Sequence, residues 1–167
     1  YSNAYCTDTK YGDDFKGWHV LFDNDPSTFF HSEYNPNGSS SDGLEHYIRV
    51  DLGEGNAIES FSFTYTTRHD NTSGSPTRIV VEGSNVPNGV YDEIVVLTDL
   101  PTYNATYSSD TLGNGNRYRY IRFRVTATLY NQSPSGHPFF YISEFGMTEY
   151  SLPKTMPAND IVVEGRF

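Results

Sequence analysis

The sequence predicts an all-β fold, a β-sandwich of the jelly-roll type. Apolar residues recur with a period of two in nearly every hydrophobic run, turn residues separate those runs, and no segment sustains a capped helical period.

Taken in order, the only helical candidate is a short turn within residues 15–22. Residues 46–52 place His46, Ile48, Val50 and Leu52 on one face of a strand. Phe61, Phe63 and Tyr65 alternate with Ser60, Ser62, Thr64 and Thr66, the pattern of a half-buried strand. Residues 78–83 and 93–97 are short β-branched runs bounded by turn residues. Residues 117–125 alternate Arg with apolar side chains, and residues 139–142 and 145–150 supply the closing strands. In the first of these, Arg117 and Arg119 are out of register with Arg122 and Arg124 across Ile121, so the four do not form one face. Between the strands lie long polar loops at 35–43, 69–77, 102–116 and 131–138, the places where a rigid sandwich carries binding residues.

At 167 residues the chain is long enough for one domain with its own core. Residues 1–150 read as that domain, and 151–167, with Pro153 and Pro157, as a linker or strand leading to a neighbouring module. Lys and Arg number 11 against 21 Asp and Glu, a formal charge of -10, which argues against nucleic acid and suits a cation or a neutral ligand. The single Cys6 excludes an internal disulfide. No run approaches the roughly 20 apolar residues of a membrane-spanning helix, and no signal-peptide pattern is present.

Residues 23–28 gather two carboxylates and a hydroxyl, from Asp23, Asp25 and Thr28, in a turn too short and polar for a strand. Such a turn can fold oxygen atoms around a hard cation, and calcium takes six to eight of them. Glu144 is the distant acid suited to complete the shell, while the plainer alternative is an Asx/ST turn that caps a loop.

In sequence order these motifs resemble the discoidin family, the factor V/VIII C-type domain, and especially its bacterial carbohydrate-binding branch, family 32. Asp23-Asn24-Asp25 to Thr28, with Phe30 beyond, is similar to the family's Asp-Gly-Asn-x-x-Thr-x-Trp turn. Tyr47-Ile48-Arg49-Val50-Asp51-Leu52-Gly53 is similar to its Val-Asp-Leu-Gly strand. Phe63-Thr64-Tyr65-Thr66-Thr67-Arg68 resembles its Tyr-Thr-Pro-Arg strand end, with Thr67 in place of Pro. Arg117-Tyr118-Arg119-Tyr120-Ile121-Arg122 and Ser143-Glu144-Phe145 resemble the late strand and the closing Glu-hydrophobic pair. The likeness spans residues 18–150 and implies a galactose-binding-domain-like jelly roll.

The resemblance implies a structural calcium ion held by the side chains of Asp23, Thr28 and Glu144 and by main-chain oxygens of Val20, Asp25, Thr28 and Ser143. It also implies a shallow loop site for a terminal sugar, galactose-type ends being common among relatives, formed by His31, Tyr34, Arg68, Asn71 and Phe139, with Asp70 an alternative partner of Arg68. In that site an Arg fork and an amide bond hydroxyls while aromatic faces exclude water. The plainer alternatives stay open: His31 satisfying a loop carbonyl, Tyr34 lying over the cation loop, and Arg68 paired with Asp70 or Glu33. Phe30 is expected in the core, Trp18 under the cation turn, and Phe139 outward of Phe140.

No G-x-S-x-G or H-E-x-x-H pattern or Cys–His arrangement is present, and Asp13-Asp14 and Asp92-Glu93 would point to opposite strand faces, so the reading is not an enzyme. A non-catalytic glycan-binding module is expected, part of a larger extracellular or cell-surface protein. The rival is a protein-interaction or adhesion domain on the same fold. Membrane lipid ranks last because the chain is acidic. The two glycan and protein readings part on whether Arg68, His31 and an aromatic ring converge.

Overall fold

Period-two apolar runs become antiparallel strands in the computed structural model, which describes residues 4–6, 17–32, 45–132 and 138–150. In chain order these are β1 (Ala4–Cys6), a 3-10 helix (Trp18–Phe22), β2 (Phe30–His31), β3 (His46–Asp51), β4 (Ser60–Thr66), β5 (Pro76–Ser84), β6 (Asp92–Leu97), β7 (Thr106–Ser108), β8 (Tyr120–Thr128), β9 (Tyr141–Ile142) and β10 (Glu144–Tyr150). A five-stranded sheet runs β1-β3-β8-β5-β6, a three-stranded sheet β10-β4-β7, and β2 pairs β9 in a short ladder of its own. All pairings are antiparallel.

Alternation decides which side chains enter the core. From the five-stranded sheet Ile48, Val50, Ile79, Val81, Ile121, Phe123 and Val125 point inward, and from the facing sheet Phe61, Phe63, Tyr65, Phe145 and Met147 do so. Phe123 is the hinge pin between the layers, with ring centroids 4.7 Å from Phe63, 5.0 Å from Phe145 and 6.1 Å from Phe61. The tilted and edge-on angles at these contacts are the arrangements that ring quadrupoles favour. Phe30 is fully buried against Phe140, 5.4 Å away, as expected for a core residue.

The four arginines of residues 117–124 divide as their register predicts. Arg122 and Arg124 share the outer face of the five-stranded sheet and converge on buried Glu82, with Nε of the first and Nη2 of the second each 2.7 Å from a carboxylate oxygen. Arg119, ahead of the strand, instead pairs with Asp51, and Arg117 donates to the Ala57 carbonyl. A carboxylate sealed between two guanidiniums is a pairing that tolerates burial because each charge keeps its partner.

Three differences have local causes. Trp18 stands 39% exposed instead of under the cation turn, because the 3-10 helix turns Val20 and Leu21 inward and leaves its first residue outside. The 102–116 loop contains β7, a strand too short to show a period, which is held by pairing Thr106–Ser108 with β4. β8 begins at Tyr120, since Tyr118 bridges to Ile58 across a separate contact.

Because Phe123 contacts three rings at once, Phe123→Ala should cost about 3–5 kcal/mol of stability. Urea unfolding measures this as a lower midpoint at unchanged slope.

Candidate functional site

Two clusters form on either side of the β2–β9 ladder. The first is the oxygen-rich turn. Asp23 follows the 3-10 helix, and Asn24 takes a left-handed conformation (φ 58), which reverses the chain within one residue. Asp23 Oδ1 then accepts the Asp25 amide at 2.9 Å, and the Asp25 carbonyl accepts the Thr28 amide at 3.0 Å. Thr28 Oγ1 lies 2.9 Å from both Asp23 Oδ2 and the Asp25 carbonyl oxygen. One hydroxyl proton can serve only one of those acceptors, so three oxygens crowd together with a single proton among them. The Asp25 carboxylate turns away to the Ser27 amide and hydroxyl, whose hydrogen bonds hold it below the usual carboxylate range.

Glu144 reaches this turn from the start of β10. Its Oε1 is sealed from solvent without a hydrogen-bond partner among the described residues. Burial pushes its pKa up, and the neighbouring Asp23 carboxyl pushes it further, against the opposing pull of the Asn24 and Asp25 amides. An orphaned carboxylate oxygen beside a second acid and a carbonyl fits a hard cation: both acids and the hydroxyl are oxygen donors of the type calcium prefers. Among the described residues no cluster of three or more His, Cys, Asp or Glu side chains is placed to hold a metal. The oxygens gathered at this turn belong to Asp23, Glu144, Thr28 and the Asp25 carbonyl. Val20 lies in the 3-10 helix just before the turn, and that helix packs against β10. Ser143 is fully buried between β9 and β10, its amide bonded to the Thr66 carbonyl.

The second cluster brings together four of the five residues expected at the ligand site. Arg68, at the end of β4, makes a two-pronged pair with the Asp70 carboxylate through Nε and Nη2. That pairing holds Asp70 below the usual carboxylate range. The guanidinium carbon sits 3.7 Å from the Phe29 ring centroid and 5.0 Å from that of Tyr141. Asn71 accepts both the Tyr141 hydroxyl and the Ser73 amide on its Oδ1. His31 is buried, stacked on Phe139 at 5.3 Å and tilted against Tyr141 at 5.3 Å. Its Nδ1 lies 2.6 Å from the Ser32 carbonyl oxygen, and since a carbonyl only accepts, that nitrogen carries the proton.

So His31 satisfies a loop carbonyl while stacking on Phe139, and Arg68 pairs with Asp70 while lying beside Phe29 and Tyr141. Phe139 is half-buried while Phe140 is in the core, as their alternation predicted. Tyr34 lies outside the described residues. Sequence reasoning missed Phe29 and Tyr141. Tyr141 stands two residues after Phe139, a spacing that puts side chains on one strand face and could have found it. Phe29 carried no signal beyond its place next to Thr28.

The surface under the rings is made by Gly74. A Cβ there would fall 2.6 Å from Tyr141 and 2.9 Å from Phe139, so only glycine lets both rings lie against this backbone. The Tyr141 amide donates to the Gly74 carbonyl at 3.1 Å and fixes that approach.

The acid pair makes a test of its own. Glu144's folded-state pKa is raised, so in metal-free protein its favourable contribution is present at low pH and lost as pH rises through that raised value. At pH 7 in chelator, Glu144→Gln should therefore unfold at a higher temperature than the parent; an unchanged or lower midpoint by calorimetry contradicts the crowding.

Comparison with known proteins adds three findings. A family model described as the F5/8 type C domain matches residues 7–138. The chain is similar to a Clostridium perfringens module, CBM32-5, solved in complex with GalNAc-β-1,3-galactose, at TM-score 0.62 and 17% identity over 87% of this chain and 92% of that one. It is also similar to the family 32 carbohydrate-binding module of Clostridium perfringens NanJ, solved with galactose (TM-score 0.60, 20% identity, 88% and 93% covered). A third likeness is to the C-terminal domain of a Bacteroides fragilis chitobiase (TM-score 0.63, 15% identity, 91% and 97% covered). At these identities the structural likeness establishes the jelly-roll fold. No curated protein matches the sequence.

Proposed function

Because this chain belongs to the F5/8 type C domain family, whose model covers residues 7–138, we propose that it is a non-catalytic carbohydrate-binding module. It recognises a terminal sugar at the Arg68–Phe139 shelf and carries one structural calcium ion. The observation that carries the reading is the convergence of Arg68, Asn71, His31 and Phe139 on one surface. Asp70 takes one side of the guanidinium, and the remaining N–H donors address vicinal hydroxyls. Tyr141, hydrogen-bonded to Asn71 and tilted against His31, ties the amide to the ring cluster. The apolar face of a sugar ring packs on Phe139 and excludes water from those hydrogen bonds.

The same geometry speaks against proton chemistry. Asp70 is held ionised by Arg68, the wrong state for a general acid at neutral pH. Galactose and a GalNAc-containing disaccharide are the sugars of the similar modules, which makes galactose-type ends the first to try. One ring platform with a few hydrogen bonds gives weak binding, on the order of 0.1–1 mM. Such affinity becomes useful when the module is tethered beside other sites, so an extracellular or cell-surface multidomain parent fits it.

Calcium, when bound, supplies a positive centre that neutralises Asp23 and Glu144. The side chains of Asp23, Thr28 and Glu144 would hold it, with main-chain oxygens of Val20, Asp25, Thr28 and Ser143. It would join the first loop to the last strand. That role is structural.

Two experiments test the reading. Titration with galactose, GalNAc, glucose, mannose and fucose, followed by NMR, should shift the signals of Arg68, Asn71 and His31 for at least one sugar, and Arg68→Ala should weaken binding about tenfold or more. No shift with any of them at high concentration would put the protein-interaction reading ahead. For the ion, calcium at about 100 times its Kd should stabilise metal-stripped protein by about 2.7 kcal/mol. Superimposable melting curves with calcium and with chelator would remove the calcium site.

A further inference from the structure

Tyr130 is one of the most exposed large side chains described, at 63%, yet its backbone is firmly held. Its amide donates to the Ser73 carbonyl at 2.8 Å, and the preceding Leu129 amide donates to Ser75 at 3.2 Å. The Thr128 amide and the Asn131 carbonyl close the turn at 2.8 Å. Scattered exposed apolar residues are ordinary on a protein surface. This one is different in two respects. Its ring lies 6.2 Å from Phe139 at an angle of 32°, so the two rings make one nearly continuous strip. Its anchor, the 73–75 backbone, is also the floor beneath Phe139 and Tyr141.

We infer that Tyr130 extends the shelf into a second ring platform, so that the ligand is a glycan end of at least two sugars; this rests on the sugar-binding reading above. The rings run in order from the polar end, where Arg68 contacts Tyr141 at 5.0 Å, through Tyr141 and Phe139 at 6.3 Å, to Phe139 and Tyr130 at 6.2 Å. Arg68, Asp70 and Asn71 stand beside Tyr141 at one end of this row, His31 backs its middle, and the other end offers the Tyr130 ring. A terminal sugar is gripped at the polar end. The sugar next to it, beyond the one on Phe139, lies over Tyr130, presenting its apolar C–H face. Tyrosine suits this position because a rigid amphipathic ring adds contact area at little entropic cost. The backbone anchoring means that little order has to be gained on binding.

The test measures affinity by titration for two matched pairs, GalNAc with GalNAc-β-1,3-galactose and galactose with lactose. In the wild type the disaccharide of the binding pair should be held about fivefold more tightly than its monosaccharide, the effect of burying about 40 Å² more apolar surface. In Tyr130→Ala that ratio should fall to about one, and in Tyr130→Phe it should persist. Monosaccharide binding with no disaccharide gain, or a gain that survives Tyr130→Ala, overturns the second platform and leaves the first site standing. Absence of binding by the wild type to all four sugars overturns the sugar reading and this inference with it.

Discussion

The short β2–β9 ladder is the constraint on which both clusters depend. It joins Phe30 to Ile142 and His31 to Tyr141, and Ser32 continues it by receiving and giving hydrogen bonds at Phe140. Side chains on a strand alternate, so this register sends Phe30 and Phe140 into the core while His31 and Tyr141 face the shelf. A one-residue slip would bury the wrong partners and turn the shelf inside out. The same pairing fixes the reach of the chain on either side. Upstream lies the turn with Asp23 and Thr28, and downstream, one residue past β9, begins the strand that carries Glu144.

The sandwich and its two clusters use different physics. The frame is apolar, with rings of two sheets meeting around Phe123, and burial is its driving force. The clusters are polar and lie where backbone geometry departs from the strand. At the turn, oxygens are forced together beyond what their own protons can satisfy. At the shelf the charges are matched, Arg68 with Asp70, and the rings are set by hydrogen bonds of the 71–75 segment. One cluster lacks a positive partner and the other is complete in itself.

Much of this was legible in the chain. Alternation at Phe61, Phe63 and Tyr65 fixed a strand and its buried face, and the order of short motifs carried the family. Asp23 and Thr28 were readable together from the oxygen-rich turn, and Glu144, far along the chain, from the closing Ser143-Glu144-Phe145 motif; the fold brings the three to one place. What escaped was set by packing at a distance. Trp18, first in the five-residue 3-10 helix, is left exposed while Val20 and Leu21 further along enter the core. Arg122 and Arg124 met on Glu82 because a neighbouring strand, β5, brought the carboxylate to them; no spacing within β8 contains that fact. Tyr130 has no periodic context at all, and only the fold reveals its neighbour Phe139.

Gly74 has a consequence that reaches past its own turn. With a hydrogen atom where other residues carry a side chain, it sets how deep the rings of Tyr141 and Phe139 can settle against the backbone. Depth at that point is also height above the surface for everything resting on the rings. The residue with no side chain therefore works as the gauge of the shelf: it sets how far the Tyr141 and Phe139 rings stand from the backbone, and with them the level of the Arg68 guanidinium that lies against Tyr141.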